Sequence, residues 1–209
     1  MDPDELRERL DRARVYLVCG GRPGLVDFLE DALGAGVDVL QLREKELEAA
    51  PILEIAEVFR DRCDAHGVPF MVNDRADLAL AAAADGVHLG QEDLPVAHAR
   101  RILGRHAIVG RSTHDADQFR RALSEDVDYV VAGPVHETPT KPGRPAAGID
   151  LIRVAAGEAT KPWFAIGGID AATIGEVRAA GASRVVVVRA ITDAPDPAAA
   201  VKALRASLE

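Results

Sequence analysis

At 209 residues and 22.2 kDa, the chain is long enough to bury a large core and short enough to be one domain. A formal charge of −9 argues against general nucleic-acid binding, which needs a basic face, and no apolar run approaches the roughly 18 residues of a membrane span. Small anionic substrates stay open, provided that cations gather locally within an acidic protein.

Met1 to Arg14 is charged and reads as a short N-terminal capping helix rather than a signal peptide, which predicts a cytoplasmic protein. Val15 to Cys19 reads as a first strand, followed by a turn at Gly20-Gly21 and an amphipathic helix from about Gly24 to Ala35. The pattern then repeats. Further strands begin near Val37, Pro69, Gly86, Ile108, Tyr129, Trp163 and Arg184, and helices begin near Pro51, Arg75, Leu94, Asp115, Ile149, Ala171 and Pro197. Eight strand-then-helix units predict a single (β/α)8 TIM barrel occupying residues 1–209. An open doubly wound sheet is the alternative, but no Gly-x-Gly-x-x-Gly turn follows the first strand. The two cysteines, Cys19 in a strand and Cys63 in a helix, suggest neither a disulfide framework nor a zinc site.

A barrel places its chemistry in the loops after the strands. In the second strand, alternation sets Val37, Val39, Gln41 and Arg43 on one face, with Leu40 and Leu42 turned to the helices. Gln41 and Arg43 should therefore point inward. A guanidinium there needs an anion, either a substrate or an internal carboxylate such as Glu44. Asp74 follows the third strand and Asp93 the fourth, 19 residues on. Together near a diphosphate they suggest Mg2+; singly, each suits a helix N-cap.

The fifth strand ends at Ser112, which offers a hydroxyl or a plain turn residue. Tyr129 to Ala132 is a buried strand that empties through Gly133-Pro134 into a loop carrying Thr138, Pro139, Thr140 and Lys141, two hydroxyls and a cation suited to a phosphate or to solvent. The seventh strand leads into Gly167-Gly168, and the eighth, Val185 to Val188, into Arg189. Glycine amides there suit either an anion or a tight turn. His88 reads as a hydrogen-bonded core histidine, His114 and His136 as loop residues, and no Ser-His-Asp or Cys-His arrangement is evident.

Taken together, Gln41-Leu-Arg-Glu-Lys45, Val72-Asn-Asp74, Asp85-Gly-Val-His-Leu-Gly-Gln-Glu-Asp93, Asp128-Tyr through Gly133-Pro134, Thr138-Pro-Thr-Lys141 and Gly167-Gly-Ile169 resemble the thiamine-phosphate synthase (thiamine-phosphate pyrophosphorylase) family over nearly the whole chain. The resemblance implies joining of 4-amino-2-methyl-5-hydroxymethylpyrimidine diphosphate to a thiazole phosphate, giving thiamine monophosphate and pyrophosphate. It implies that Gln41, Leu42, Arg43, Glu44 and Lys45, with Asn73, Ser112 and Lys141, hold the pyrimidine diphosphate, that Asp74 and Asp93 hold Mg2+, and that Thr138, Pro139, Thr140 and Gly168 hold the thiazole phosphate. Arg43, Lys45 and Lys141 would stabilise the leaving diphosphate. The family often has a Val/Ile-Ser pair after the eighth strand; here Val188 and Arg189 stand there, contributing backbone amides and a guanidinium that either contacts the phosphate or turns outward. A thiazole tautomerase-like isomerase and a non-catalytic phosphate-binding barrel are the competing readings. Barrels of this kind are often homo-oligomers, although no interface stripe is legible.

Overall fold

Residues 2–137 and 146–209 are described by the structure, a computed structural model. Eight short parallel strands form a closed barrel in chain order: β1 (Val15–Cys19), β2 (Val39–Leu42), β3 (Phe70–Asn73), β4 (Gly86–Leu89), β5 (Ile108–Thr113), β6 (Tyr129–Ala132), β7 (Trp163–Ile166) and β8 (Val185–Val187). After α1 (Pro3–Arg12), the surrounding helices are α2 (Leu25–Gly34), α3 (Ala49–His66), α4 (Ala76–Ala81), α5 (Val96–Leu103), α6 (Ala116–Ser124), α7 (Gly148–Glu158), α8 (Ile174–Ala179), α9 (Arg189–Thr192) and α10 (Pro197–Leu208). The expected (β/α)8 barrel and its short N-terminal helix are present. Two details differ: β2 starts at Val39 rather than Val37, and the four-residue α9 begins directly after Val188, which caps it instead of ending the strand.

Alternation splits the core into two layers. Odd positions of β1 and even positions of β2, such as Leu17, Leu40 and Leu42, join the shell between strands and helices. Tyr16, Val18, Val39, Met71, Ile108, Tyr129, Val131, Phe164 and Val186 fill the barrel itself. Leu6 and Leu10 of α1, with Ala13, belong to the same interior cluster, so α1 closes the end opposite the loops. The Tyr129 ring occupies space that only glycine at position 110 leaves open, since a Cβ there would collide with it.

The closed end is fastened by a repeated device. Asp38, Asp85 and Asp128 immediately precede β2, β4 and β6. Each accepts a backbone N–H from the start of the preceding odd strand: Val15 at 2.9 Å, Phe70 at 2.7 Å and Val109 at 2.8 Å. Each also meets an arginine, respectively Arg205 at 2.6 Å, Arg60 at 2.9 Å and Arg100 at 2.6 Å. Arg184 stands at the corresponding place before β8 and donates to the carbonyl of Asp11 at 2.7 Å. Beside it, Val185 N donates to Arg14 O at 2.9 Å and Arg14 Nη1 to Ser183 O at 3.3 Å.

Candidate active site

The loop end carries a polar cavity of about 230 Å³ between the ends of β2 to β5, lined by Arg43, Lys45, Asn73, Asp74, Asp93 and Ser112 among others. Asp74 takes a left-handed conformation with φ 64°, turning its carboxylate toward Lys45, whose Nζ lies 2.8 Å from Oδ2. Burial, then a hydrogen bond from Asp93, raises the Asp74 carboxyl above its ordinary range, while Lys45 opposes the shift. Asp93 Oδ2 also accepts from Gly90 N at 2.6 Å. Neither aspartate caps a helix; Arg75 and Pro95 occupy the N-cap positions of α4 and α5. The two carboxylates therefore meet side by side at the cavity wall. Among the described residues no cluster of three or more His, Cys, Asp or Glu side chains has metal-holding geometry.

Asn73 Nδ2 is buried without a hydrogen-bond partner among the described residues, a donor whose cost is recovered when an acceptor enters. Gln41 is buried inside the barrel as alternation predicted, and Arg43, just past β2, lines the polar cavity and a smaller one beneath it. Two neighbours in sequence do other work. Leu42 packs in the helix-facing shell, so only its main chain is turned to the mouth, and Glu44 Oε1 accepts from Gly21 N at 2.6 Å, bracing the first loop.

A second cavity of about 430 Å³ opens beside the first, between the loops after β6, β7 and β8. Gly168 lies on its wall with φ 64°, and a Cβ there would approach His136 Cβ to 2.7 Å, so the backbone itself forms the surface. Val188 and Arg189 line the same cavity; Arg189 is exposed and makes no ion pair among the described residues. His136, also on this wall, pairs with Glu176 at 2.9 Å. Thr138, Pro139, Thr140 and Lys141 lie outside the described residues. Ser112 and His114 line both cavities, so the two chambers meet at the end of β5.

Supporting residues were less legible in the sequence. Gln91 Nε2 donates to Ser112 O at 2.6 Å, and Arg111 Nη1 donates to Gly90 O at 2.7 Å, holding the loop that bears Asp93. Arg111 is buried on the outward face of β5, where strand alternation places an apolar residue; that exception was its one signal.

Comparisons with known proteins bear on the family and the fold. A family described as thiamine monophosphate synthase matches residues 15–191. The thiamine-phosphate synthase of Mycolicibacterium smegmatis is 52% identical over 214 residues, covering 96% of this chain and 94% of that protein. That of Mycolicibacterium vanbaalenii is 54% identical over 213 residues, covering 96% of each. Among solved structures, the thiamine phosphate pyrophosphorylase from Pyrococcus furiosus superposes with a TM-score of 0.86 at 29% identity, covering 95% of this chain and 96% of that one.

Proposed function

Since the chain belongs to the thiamine monophosphate synthase family, we propose that its two adjoining chambers divide the family's substrates between them. The enzyme is a transferase of thiamine biosynthesis. It joins 4-amino-2-methyl-5-hydroxymethylpyrimidine diphosphate to 4-methyl-5-(2-phosphoethyl)thiazole, or its carboxylated form, and yields thiamine monophosphate and pyrophosphate. In our assignment the diphosphate occupies the chamber of Arg43, Lys45, Asn73, Asp74 and Asp93, and the thiazole phosphate occupies the chamber of Gly168, Val188 and Arg189. The observation that carries this division is the shared wall at Ser112 and His114, which lets two ligands touch where one bond forms and another breaks.

The chemistry requires little more. The thiazole nitrogen brings a lone pair to the pyrimidine methylene carbon, and the carbon–oxygen bond breaks with its electrons leaving on pyrophosphate. No proton is removed from the nucleophile, so a general base has no task. Charge develops on the leaving oxygen, and Arg43 and Lys45, together with Lys141 in our assignment, stabilise it without reorganising.

Mg2+ is the implied cofactor, and Asp74 with Asp93 fits it. Two apposed carboxylates, one of them holding its proton more tightly than an ordinary aspartate, gain when a divalent cation replaces that proton. When bound, the ion neutralises diphosphate charge and polarises the leaving oxygen. Lys45 is placed to stay beside Asp74 as the second cation. Among the described residues no helix is long and apolar enough to cross a membrane. Our assignment to the cytoplasm rests on the biosynthetic role of the family.

The test mixes the purified protein with both substrates, with Mg2+ or with EDTA, and follows thiamine phosphate and pyrophosphate together. Equal, Mg2+-dependent appearance of both products is expected. Turnover unaffected by EDTA would remove the metal, and thiazole isomerisation without condensation would replace the reaction.

A further inference from the structure

Five polar side chains form a continuous line among the apolar residues of the barrel interior. Gln41 Nε2 lies 2.6 Å from Tyr16 Oη, Tyr16 Oη 2.8 Å from Tyr129 Oη, Tyr129 Oη 3.0 Å from His88 Nδ1, and His88 Nε2 2.8 Å from Ser112 Oγ. Ser112 is the end of the line and the wall shared by both chambers. We propose that Tyr16, Tyr129 and His88 are positioning residues, which orient the Ser112 hydroxyl as a hydrogen-bond donor to an oxygen of the diphosphate.

Proton bookkeeping sets the direction. An amide nitrogen cannot accept, so Gln41 donates to Tyr16. The Tyr16 proton then goes to Tyr129 and the Tyr129 proton to His88 Nδ1, which must carry a lone pair. A neutral imidazole accepting at Nδ1 bears its proton on Nε2, and that proton points at Ser112 Oγ. Ser112 accepts there, leaving its own proton for the cleft. Reversing the line would set two donors, the Gln41 amide and the Tyr16 hydroxyl, against each other inside the core, where an unpaired donor is costly.

The phenols are held for this role. Burial raises both above the ordinary tyrosine value, so both keep their protons. Phe164 meets each ring edge-on, at 5.6 Å from Tyr16 and 5.7 Å from Tyr129, and His88 stacks on Tyr129 at 5.6 Å. Neither tyrosine is exposed, so their effect on substrate must pass through Ser112.

The inference rests on the placement of the diphosphate beside Ser112, and two measurements separate the two claims. In protein labelled with 15N in the histidine rings, the His88 resonances, assigned by their loss in His88→Asn, should show the Nε2–H tautomer before any substrate is added. The Nδ1–H tautomer would overturn the proposal, whatever the variants do. Tyr129→Phe should blur that tautomer preference and lower kcat roughly 2–10-fold, with both KM values within about twofold. In a Ser112→Ala background the same change should cost nothing further. An equal loss in both backgrounds would mean that Tyr129 acts elsewhere, and full turnover by Ser112→Ala alone would sink the diphosphate placement while the tautomer result stood.

Discussion

Lys45 Nζ stands 2.8 Å from Asp74 Oδ2, so a cation and a prospective metal ligand share one corner of the polar chamber. Lys45 is half exposed, and its ion pair adds little to stability. Its value is positional. Lys45→Ala should therefore fold normally and lower kcat by roughly 100-fold, the scale of removing one preorganised donor from a developing anion. Steady-state release of pyrophosphate measures it, and a change confined to stability would refute the role.

Asp93 does two jobs, as a carboxylate facing Asp74 and as the acceptor for Gly90 N at 2.6 Å. Asp93→Asn keeps an acceptor for the loop and removes the charge. The expected outcome is an unchanged circular dichroism spectrum with apparent Mg2+ affinity weakened by about tenfold or more, since one of two ligating charges is lost. A superimposable Mg2+ activation curve would show that Asp93 serves the loop alone.

At the thiazole chamber, Gly168→Ala forces a side chain into a left-handed site and to within 2.7 Å of His136 Cβ. The KM for the thiazole phosphate should rise roughly tenfold or more, while that for the pyrimidine diphosphate moves little. Arg189→Ala should raise the same constant more modestly, because an exposed guanidinium at the rim acts through screened charge. If Arg189→Ala leaves that constant unchanged, the guanidinium is not part of the site.

Burial pushes the Cys19 thiol up to about 12 and raises that of Cys63 as well. Unfolded thiols ionise near 8.5. Between that value and the native one, unfolding releases protons, so stability present at neutral pH declines as pH rises, by up to about 1.4 kcal/mol per unit for each thiol. Urea titrations at pH 8 and pH 10 should show the loss. At pH 8 a disulfide reagent should react with neither cysteine until the chain is unfolded, and rapid native labelling would contradict the burial.

Asp128 ties Arg100, Arg7 and Val109 N together at the closed end of the barrel. Asp128→Ala leaves the nearly buried Arg100 with only the exposed Asp126 carboxylate, 3.4 Å away, so the loss should approach the low end of the about 3–5 kcal/mol that breaking a buried pair costs. Equilibrium unfolding would measure the loss, and kcat of the remaining folded enzyme should be close to that of the parent.

Period-two patterning made much of this molecule readable. It assigned Gln41 inward and Leu40 and Leu42 outward, and the spacing of the eight strands carried the barrel. The limits were local. Asn73-Asp74 ahead of a helix reads like a cap, and only the left-handed backbone at Asp74 shows that the carboxylate turns into the chamber instead. Four-residue α9 is too short to produce a periodic signal. Glu44 sits amid cations in a polar motif, yet its partner, Gly21 N, is 23 residues away in sequence and no pattern points to it. The line from Gln41 to Ser112 draws on five different strands, so sequence spacing could mark its members singly, as it did for His88, without revealing their contact.

The carboxylate device that fastens the closed end is missing before β8, where Arg184 reaches Asp11 and Arg14 reaches Ser183. The last seam of the ring is thus sewn by residues that lie just ahead of β1. The two halves of that clasp, residues 11–14 and 183–185, stand about as far apart in the sequence as β1 and β8. Without that seam the ring would have an open edge, and the pairing that seals it also holds the loops of β7 and β8 alongside the rest of the mouth. Circular closure and completion of the second chamber therefore depend on the same pairing of β1 with β8.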